Sequence, residues 1–228
     1  MFEGKKILIL GGSGGIGREI VACFRDYHGE VTAPSHAQMD LSDTGSIDAY
    51  FRGNDAVFDA VVYAAGINVP KPFEALTEDD LNAALKTNTL GFFSVCSHVV
   101  PGMKKIGGGR IVVLASIYGI VSRRGRLPYS LSKHALCGMV QTMAQELAKD
   151  NILVNAVSPG FIGTEMTYRN NSPEKVAELV RGIPLGRLGT GREIGELTAF
   201  LCSSRNSYIT GQNIVADGGY LAGGWQHE

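Results

Sequence analysis

Lys6-Ile7-Leu8-Ile9-Leu10-Gly11-Gly12-Ser13-Gly14-Gly15-Ile16-Gly17-Arg18 is the stretch on which the reading of this chain turns. Lys6 to Leu10 has the length and branched, apolar composition of a buried parallel strand, and it runs straight into a glycine-rich turn. From Arg18 to Arg25 the apolar spacing becomes helical. A strand, a turn nearly free of side chains and a helix start form a dinucleotide-binding βα turn. A side chain there blocks the backbone from approaching a pyrophosphate, whose charge is held by free N–H groups at the helix N-terminus. Gly11, Ser13, Gly14, Gly15, Ile16 and Gly17 are the candidate cofactor residues of this turn. The glycines alone would equally suit a mobile turn; the flanking strand and helix decide for binding.

Outward from that turn, strands are predicted near residues 6–10, 30–33, 58–63, 109–115, 151–157 and 213–216. Helices alternate with them near 16–26, 44–51, 78–102, 128–149, 173–181 and 192–203. This alternation is the mark of an α/β fold, a doubly wound parallel sheet with helices on both faces. At 228 residues and 44% hydrophobic content the chain can bury one large core, and no repeat, low-complexity run or linker divides it. A single domain over 1–228 is expected, with its ligand beyond the carboxyl ends of the strands.

The net charge of −1 gives no reason to expect nucleic acid or an anionic membrane as a partner. No apolar stretch approaches the roughly 18 residues of a membrane span, and Met1-Phe2-Glu3-Gly4-Lys5 lacks the layout of a signal peptide, so a cytoplasmic location is expected. Cys23, Cys96, Cys137 and Cys202 are widely spaced and read as free thiols. The five histidines have no metal-ligand spacing, and no metal is expected.

Tyr129 and Lys133 are four apart in a helical pattern, which puts them on one face. A phenol with an ordinary pKa of about 10 is a poor proton donor and acceptor at neutral pH, but a neighbouring ammonium favours its phenolate. A drop of about 3 units needs roughly 4 kcal/mol, which one lysine and a bound cationic ring would share. Ser116, at the end of the strand Arg110-Ile111-Val112-Val113-Leu114-Ala115, can hydrogen-bond a carbonyl or alcohol oxygen. Taken alone, Tyr129 and Lys133 equally describe an ordinary pair on a helix surface.

Over essentially its whole length the chain resembles the short-chain dehydrogenase/reductase family, in the branch of 3-oxoacyl carrier-protein reductases and sugar and polyol dehydrogenases. Gly11, Gly15 and Gly17 match the family's glycine pattern, and Ala65-Gly66 ends its central strand motif. Asn88-Thr89-Leu90-Gly91 matches its helix asparagine, and Ser116, Tyr129 and Lys133 its catalytic set. Pro159-Gly160-Phe161-Ile162-Gly163-Thr164 matches the nicotinamide loop, although a simple turn after a strand has the same composition. Pro184-Leu185-Gly186-Arg187-Leu188-Gly189, Ile209-Thr210-Gly211-Gln212 and Asp217-Gly218-Gly219 carry the branch resemblance. The resemblance implies a Rossmann-type fold and an NAD(P)-dependent interconversion of alcohol and carbonyl. In it Tyr129 is general acid and base, Lys133 lowers its pKa, Ser116 orients the substrate oxygen and Asn88 joins a proton relay. It also implies cofactor contacts from Asp40, Leu41, Ala64, Ala65, Gly66, Asn88, Tyr129, Lys133, Pro159 and Gly160. Ile162 and Thr164 would hold the nicotinamide carboxamide. Asp40 reads equally as a helix-start residue, with Ser42 or Asp43 as cap.

Three departures stand out. Leu10 replaces the usual threonine, and Tyr63-Ala64 replace two asparagines that commonly brace the cofactor loop. The second strand ends Val31-Thr32-Ala33-Pro34-Ser35-His36 without the carboxylate that usually accepts from the ribose hydroxyls. The expectation is therefore NADP favoured over NAD, with Ser35, His36 and Arg18 the groups available to a 2′-phosphate. The link from there to Asp40 is short, which points to a corner shaped differently from its relatives.

Arg123, Arg124 and Arg126 lie between Ser116 and Tyr129 and suit an acidic small-molecule substrate, carboxylated, phosphorylated or carrier-linked, or else a solvated loop or subunit contact. Glu165 to Asn171, with a helix opening at Ser172-Pro173-Glu174, has the composition of a lid or of an ordinary exposed loop. Trp225 would cover a site or lie in a frayed end. The resemblance implies a homotetramer or homodimer through the helices near 78–102 and 128–149. Two other functions stay open: an epimerase or eliminating enzyme that oxidises its substrate transiently, and a non-catalytic cofactor-binding regulatory or scaffold protein.

Overall fold

The computed structural model describes residues 1–54, 56–169 and 171–223, with the backbone alone at Met166. Six strands form one sheet: β1 Lys6–Leu10, β2 Glu30–Thr32, β3 Ala60–Tyr63, β4 Gly109–Leu114, β5 Ile152–Pro159 and β6 Asn213–Ala216. Their order is β2-β1-β3-β4-β5-β6, and every neighbouring pair is parallel. The helices are α1 Gly15–Asp26, α2 Thr44–Arg52, α3 Glu78–Leu85, α4 Gly91–Lys105, α5 Leu127–Leu147, α6 Glu165–Arg169, α7 Pro173–Arg181 and α8 Gly191–Cys202.

β1 shows why its apolar run is continuous. Ile7 and Ile9 pack toward α1 and α8, Leu8 and Leu10 toward α4 and α5, and all four are buried. Both faces of a parallel sheet are covered, so alternation with polar residues is lost. Each such side chain contributes roughly 1.5–3 kcal/mol when fully buried. The two cores on either side of the sheet fix the strand ends, and the strand ends fix the site.

From β1 the order runs outward to β2 on one side and to β3 on the other, so the crevice between β1 and β3 is the topological switch point where such sheets bind ligands. Gly11 follows β1 there, and Ala64 to Gly66 follow β3, with the Ala64 N–H donating to the Leu10 carbonyl at 2.9 Å. The usual doubly wound order places a further strand outside the second. In this chain β2 is itself the edge, and the polypeptide passes from Thr32 to α2 through a coil, as the short link before Asp40 implies.

Two helix expectations change. The helix read as continuous over 78–102 is two helices, α3 and α4, joined by a π-helical turn at Lys86–Leu90. The segment read as a loop after Thr164 contains the short helix α6. Trp225 and Asn170 lie outside the described residues, as does the Met166 side chain.

Candidate active site

At Gly11 and Gly17 the contacts of the turn leave no room for side chains. Gly11 has φ +79°, and a Cβ on it would lie 2.6 Å from the Ala65 nitrogen. A Cβ on Gly17 would lie 2.0 Å from the Gly11 carbonyl oxygen, so α1 starts hard against the end of β1. Gly14 caps α1 without a side-chain hydrogen bond, and no acidic residue occupies the first turn. Ser13 and Gly14 are exposed at its mouth. An uncapped helix start under a glycine-rich turn suits a pyrophosphate in charge and in shape. The loop after β5 reaches this turn, since a Cβ on Gly15 would come within 2.9 Å of the Thr164 Cβ.

Tyr129 and Lys133 share the inner face of α5, as their spacing implies. The Lys133 side chain is buried, its Nζ donates to the Leu114 carbonyl at 2.6 Å, and it stands 5.5 Å from the centre of the Tyr129 ring. Burial pulls the ammonium down to about 8, with the Cys137 thiol acting weakly the other way. Ser116 follows β4 and is buried. Its hydroxyl accepts from the Tyr118 N–H at 3.1 Å, and its carbonyl accepts from the Ser158 hydroxyl at 3.0 Å.

Electrostatics corrects one expectation. The Tyr129 phenol lies above its ordinary pKa because burial penalises the phenolate, while the Ser116 hydroxyl and the Arg126 charge pull it back. Desolvation works against both the phenolate and the ammonium, so the lowering expected from Lys133 is not supplied by the chain's own groups.

Asn88 sits in the π-helical turn and is fully buried. Its Oδ1 accepts from the Ile67 N–H at 2.8 Å, and its Nδ2 donates to the Ile67 carbonyl at 3.0 Å and to the Ser132 hydroxyl at 2.8 Å. Thr89 Oγ1 donates to the Ser132 carbonyl at 3.1 Å, so the turn is clamped onto α5 one residue before Lys133. Gly66 joins the group: a Cβ there would meet Asn88 Oδ1 at 3.3 Å and Lys133 Nζ at 3.4 Å. Four segments distant in sequence thus converge at the carboxyl edge of the sheet.

The other candidates are more dispersed. Asp40 accepts from the Ser42 N–H and hydroxyl, which holds its carboxyl below the usual range, while Asp43 caps α2. Of the helix-start readings Asp43 is the cap, Asp40 lies outside the helix start, and Leu41 packs against the core. Ser35 is tied through its N–H and hydroxyl to Gln38. Arg18, a candidate for a 2′-phosphate, faces Glu165 of α6 at 3.6 Å. The Gly160 N–H donates to the Ala216 carbonyl, which seats Pro159-Gly160 at the end of β5. The Ile162 carbonyl accepts from the Thr164 N–H and the Thr167 hydroxyl, so the loop is braced internally.

The three arginines separate. Arg126 donates to Asn68 Oδ1 at 2.9 Å beside Tyr129. Arg123 approaches the Tyr118 hydroxyl at 3.4 Å and lines a cavity of about 290 Å³ with Glu178, Leu179 and Tyr220. Arg124 lines a second groove of about 580 Å³ with Lys71, Phe73 and Leu131, and Arg123 borders this groove as well. Sequence reasoning missed Ser132, Ser158, Tyr118 and Tyr220. Ser132 was visible only as the neighbour of Lys133; the rest reach the site through tertiary contacts.

Residues 15–221 match the family model described as enoyl-(acyl carrier protein) reductase. The chain is 36% identical to the 3-oxoacyl-[acyl-carrier-protein] reductase of Thermotoga maritima, covering 96% of this chain and 98% of that one. It is likewise 36% identical to an acetoacetyl-CoA reductase of Shinella zoogloeoides, over 93% of this chain and 96% of that one. The crystal structure of a putative gluconate dehydrogenase from Agrobacterium tumefaciens superposes with a TM-score of 0.89 over 97% of both chains at 26% identity.

Proposed function

The chain belongs to the short-chain dehydrogenase/reductase family and is an NAD(P)-dependent oxidoreductase acting on an alcohol or carbonyl, and from that premise we propose how its residues divide the work. Tyr129 gives its proton to a carbonyl oxygen in reduction and takes it back in oxidation. Ser116, at the end of β4, hydrogen-bonds the same oxygen and sets its distance from the phenol. Lys133, held by the Leu114 carbonyl, places its ammonium 5.5 Å from the centre of the Tyr129 ring, where it would meet the nicotinamide-side ribose of a bound coenzyme. Asn88 stands behind Lys133 and carries the proton path toward solvent. The nicotinamide, when bound, supplies or accepts the hydride.

The coenzyme fits the residues present. The turn from Gly11 to Gly17 would hold the pyrophosphate, Ala64 to Gly66 with Lys133 the nicotinamide-side ribose, and Ile162 with Thr164 the carboxamide. We favour NADP over NAD, because β2 ends without a carboxylate and leaves Ser35 and His36 exposed near the corner. We further propose an acidic substrate. Arg126 is held beside Tyr129 by a neutral asparagine, and its charge already acts on the phenol. The exposed apolar residues Leu90 at the end of the π-helical turn, Phe93 on α4 and Leu127 and Leu131 on α5 support assembly of like subunits. Among the described residues no helix is long and apolar enough to cross a membrane, and we place the enzyme in the cytoplasm.

The observation that carries this reading is the convergence of Ser116, Tyr129, Lys133 and Asn88 at the same edge of the sheet as the glycine-rich turn. Titrating the protein with NADPH and NADH by nicotinamide fluorescence, then adding acidic and neutral carbonyl compounds, tests it. Coenzyme oxidation that depends on Tyr129 and accumulates a stable product supports net redox turnover. Binding without turnover on a broad panel would favour a regulatory protein, and tighter NADH binding would reverse the coenzyme preference.

A further inference from the structure

We propose that Tyr63 is a positioning residue for Asn88: its hydroxyl ties the π-helical turn to the rigid end of β3 and so fixes the asparagine against α5. The inference rests on the reading above that Asn88 belongs to the proton path.

The argument begins with the backbone of the turn. In an α-helix the Thr87 carbonyl would accept from the Gly91 N–H, but in Lys86–Leu90 that N–H goes one residue further back, to the Lys86 carbonyl. Thr87 thereby loses its α-helical donor at a partly buried position beside the buried Asn88, where an unpaired carbonyl is costly. The Tyr63 hydroxyl donates to this carbonyl. Tyr63 is fully buried, and burial pushes its pKa up, so the hydroxyl stays a donor.

The surroundings leave the phenol little freedom. Tyr63 is the last residue of β3, with Leu10 of β1 and Val113 of β4 on either side in register. The Phe92 ring meets its ring edge-on, with centroids 5.6 Å apart. Gly91 makes the room: a Cβ there would stand 2.5 Å from the Tyr63 hydroxyl. The turn is therefore held at Thr87 by the sheet and at Asn88 and Thr89 by Ser132 of α5. The Tyr63 side chain thus reaches from the end of β3 and braces the turn that carries Asn88.

The test is Tyr63→Phe, which keeps the ring and removes only the donor, made alone and together with Asn88→Ala. Hydrogen–deuterium exchange without coenzyme or substrate reads the brace directly. The Ile67 N–H, which donates to Asn88, and the amides of 86–91 should exchange about tenfold faster, with the remainder of the sheet unchanged. In NADPH-dependent reduction of acetoacetyl-CoA, kcat should fall roughly 5- to 20-fold with KM and coenzyme affinity held. Imidazole buffer should restore part of the loss, and adding Tyr63→Phe to Asn88→Ala should cost nothing more. Unchanged exchange in 86–91, or an equal loss in the presence and absence of Asn88, overturns the proposal. If the wild-type protein reduces no carbonyl at all, the catalytic reading fails, and the exchange experiment still decides whether Tyr63 fixes Asn88.

Discussion

Lys133 holds its ammonium 5.5 Å from the centre of the Tyr129 ring while spending a hydrogen bond on the Leu114 carbonyl. The strand end thus places the charge, and the helix places the ring above it. Lys133 is fully out of water, whereas Tyr129 is half-buried and keeps part of its surface open to the site.

That burial has a pH signature. Lys133 titrates at about 8 in the fold against an ordinary value of 10.5. Below pH 8 the folded and unfolded chains both carry the charge, and the burial cost is felt in full. Between about 8 and 10.5 the unfolded chain binds the more protons, so stability rises with pH. Relative to Lys133→Met, the wild-type protein should gain up to about 3 kcal/mol across this window. Urea unfolding of both proteins at pH 7, 8, 9 and 10 checks it; parallel curves would mean that the ammonium is not desolvated.

Tyr129→Phe removes the proton donor and leaves the ring, so coenzyme affinity should stay within about twofold of wild type while turnover drops roughly 10²- to 10⁴-fold. Fluorescence titration and steady-state rates on one preparation separate the two effects. A variant retaining a tenth of the rate would move the acid–base role elsewhere.

The nucleotide turn predicts a contrast between two neighbouring glycines. Gly11→Ala forces a left-handed backbone on alanine and drives its Cβ against Ala65, at a cost of about 2–3 kcal/mol. Gly14→Ala meets only the Gly11 carbonyl, at 3.5 Å, and should change stability by less than about 0.5 kcal/mol. Its effect should fall on coenzyme affinity, because the methyl group would project at the exposed mouth of the turn. Thermal melts with and without NADPH distinguish the two, and equal destabilisation would refute the contrast.

The parts of this fold legible in sequence are those set by local rules. The β1 run, its glycines and the start of α1 are fixed by burial on both sheet faces and by sterics within a few residues. The i, i+4 spacing of Tyr129 and Lys133 follows from helix geometry. What escaped is decided at a distance. The π-helical turn at Lys86–Leu90 has a helical composition, and only its clamps to Ser132, Ile67 and Tyr63 show why it departs from an α-helix. Tyr63 itself reads in sequence as the loss of a brace, whereas its hydroxyl reaches a different partner. The direction of the Tyr129 shift also depends on burial, which no residue spacing reports.

Arg126 offers the sharpest test of substrate class. It faces Asn68 and acts on Tyr129, whereas Arg124 lines a groove that does not include Tyr129. A charge-assisted hydrogen bond to a substrate carboxylate is worth about 1.5–3 kcal/mol, so Arg126→Gln should raise KM for an oxo acid roughly 10- to 100-fold. The methyl ester of the same acid should be affected about twofold or less, and Arg124→Gln should leave both unchanged. Removing the Arg126 charge also lets the Tyr129 pKa rise, so the basic limb of the pH profile should move upward in this variant alone. Steady-state kinetics on matched acids and esters between pH 6 and 10 decide the matter. If acid and ester lose affinity equally, Arg126 holds the loop through Asn68 and the substrate need not be acidic.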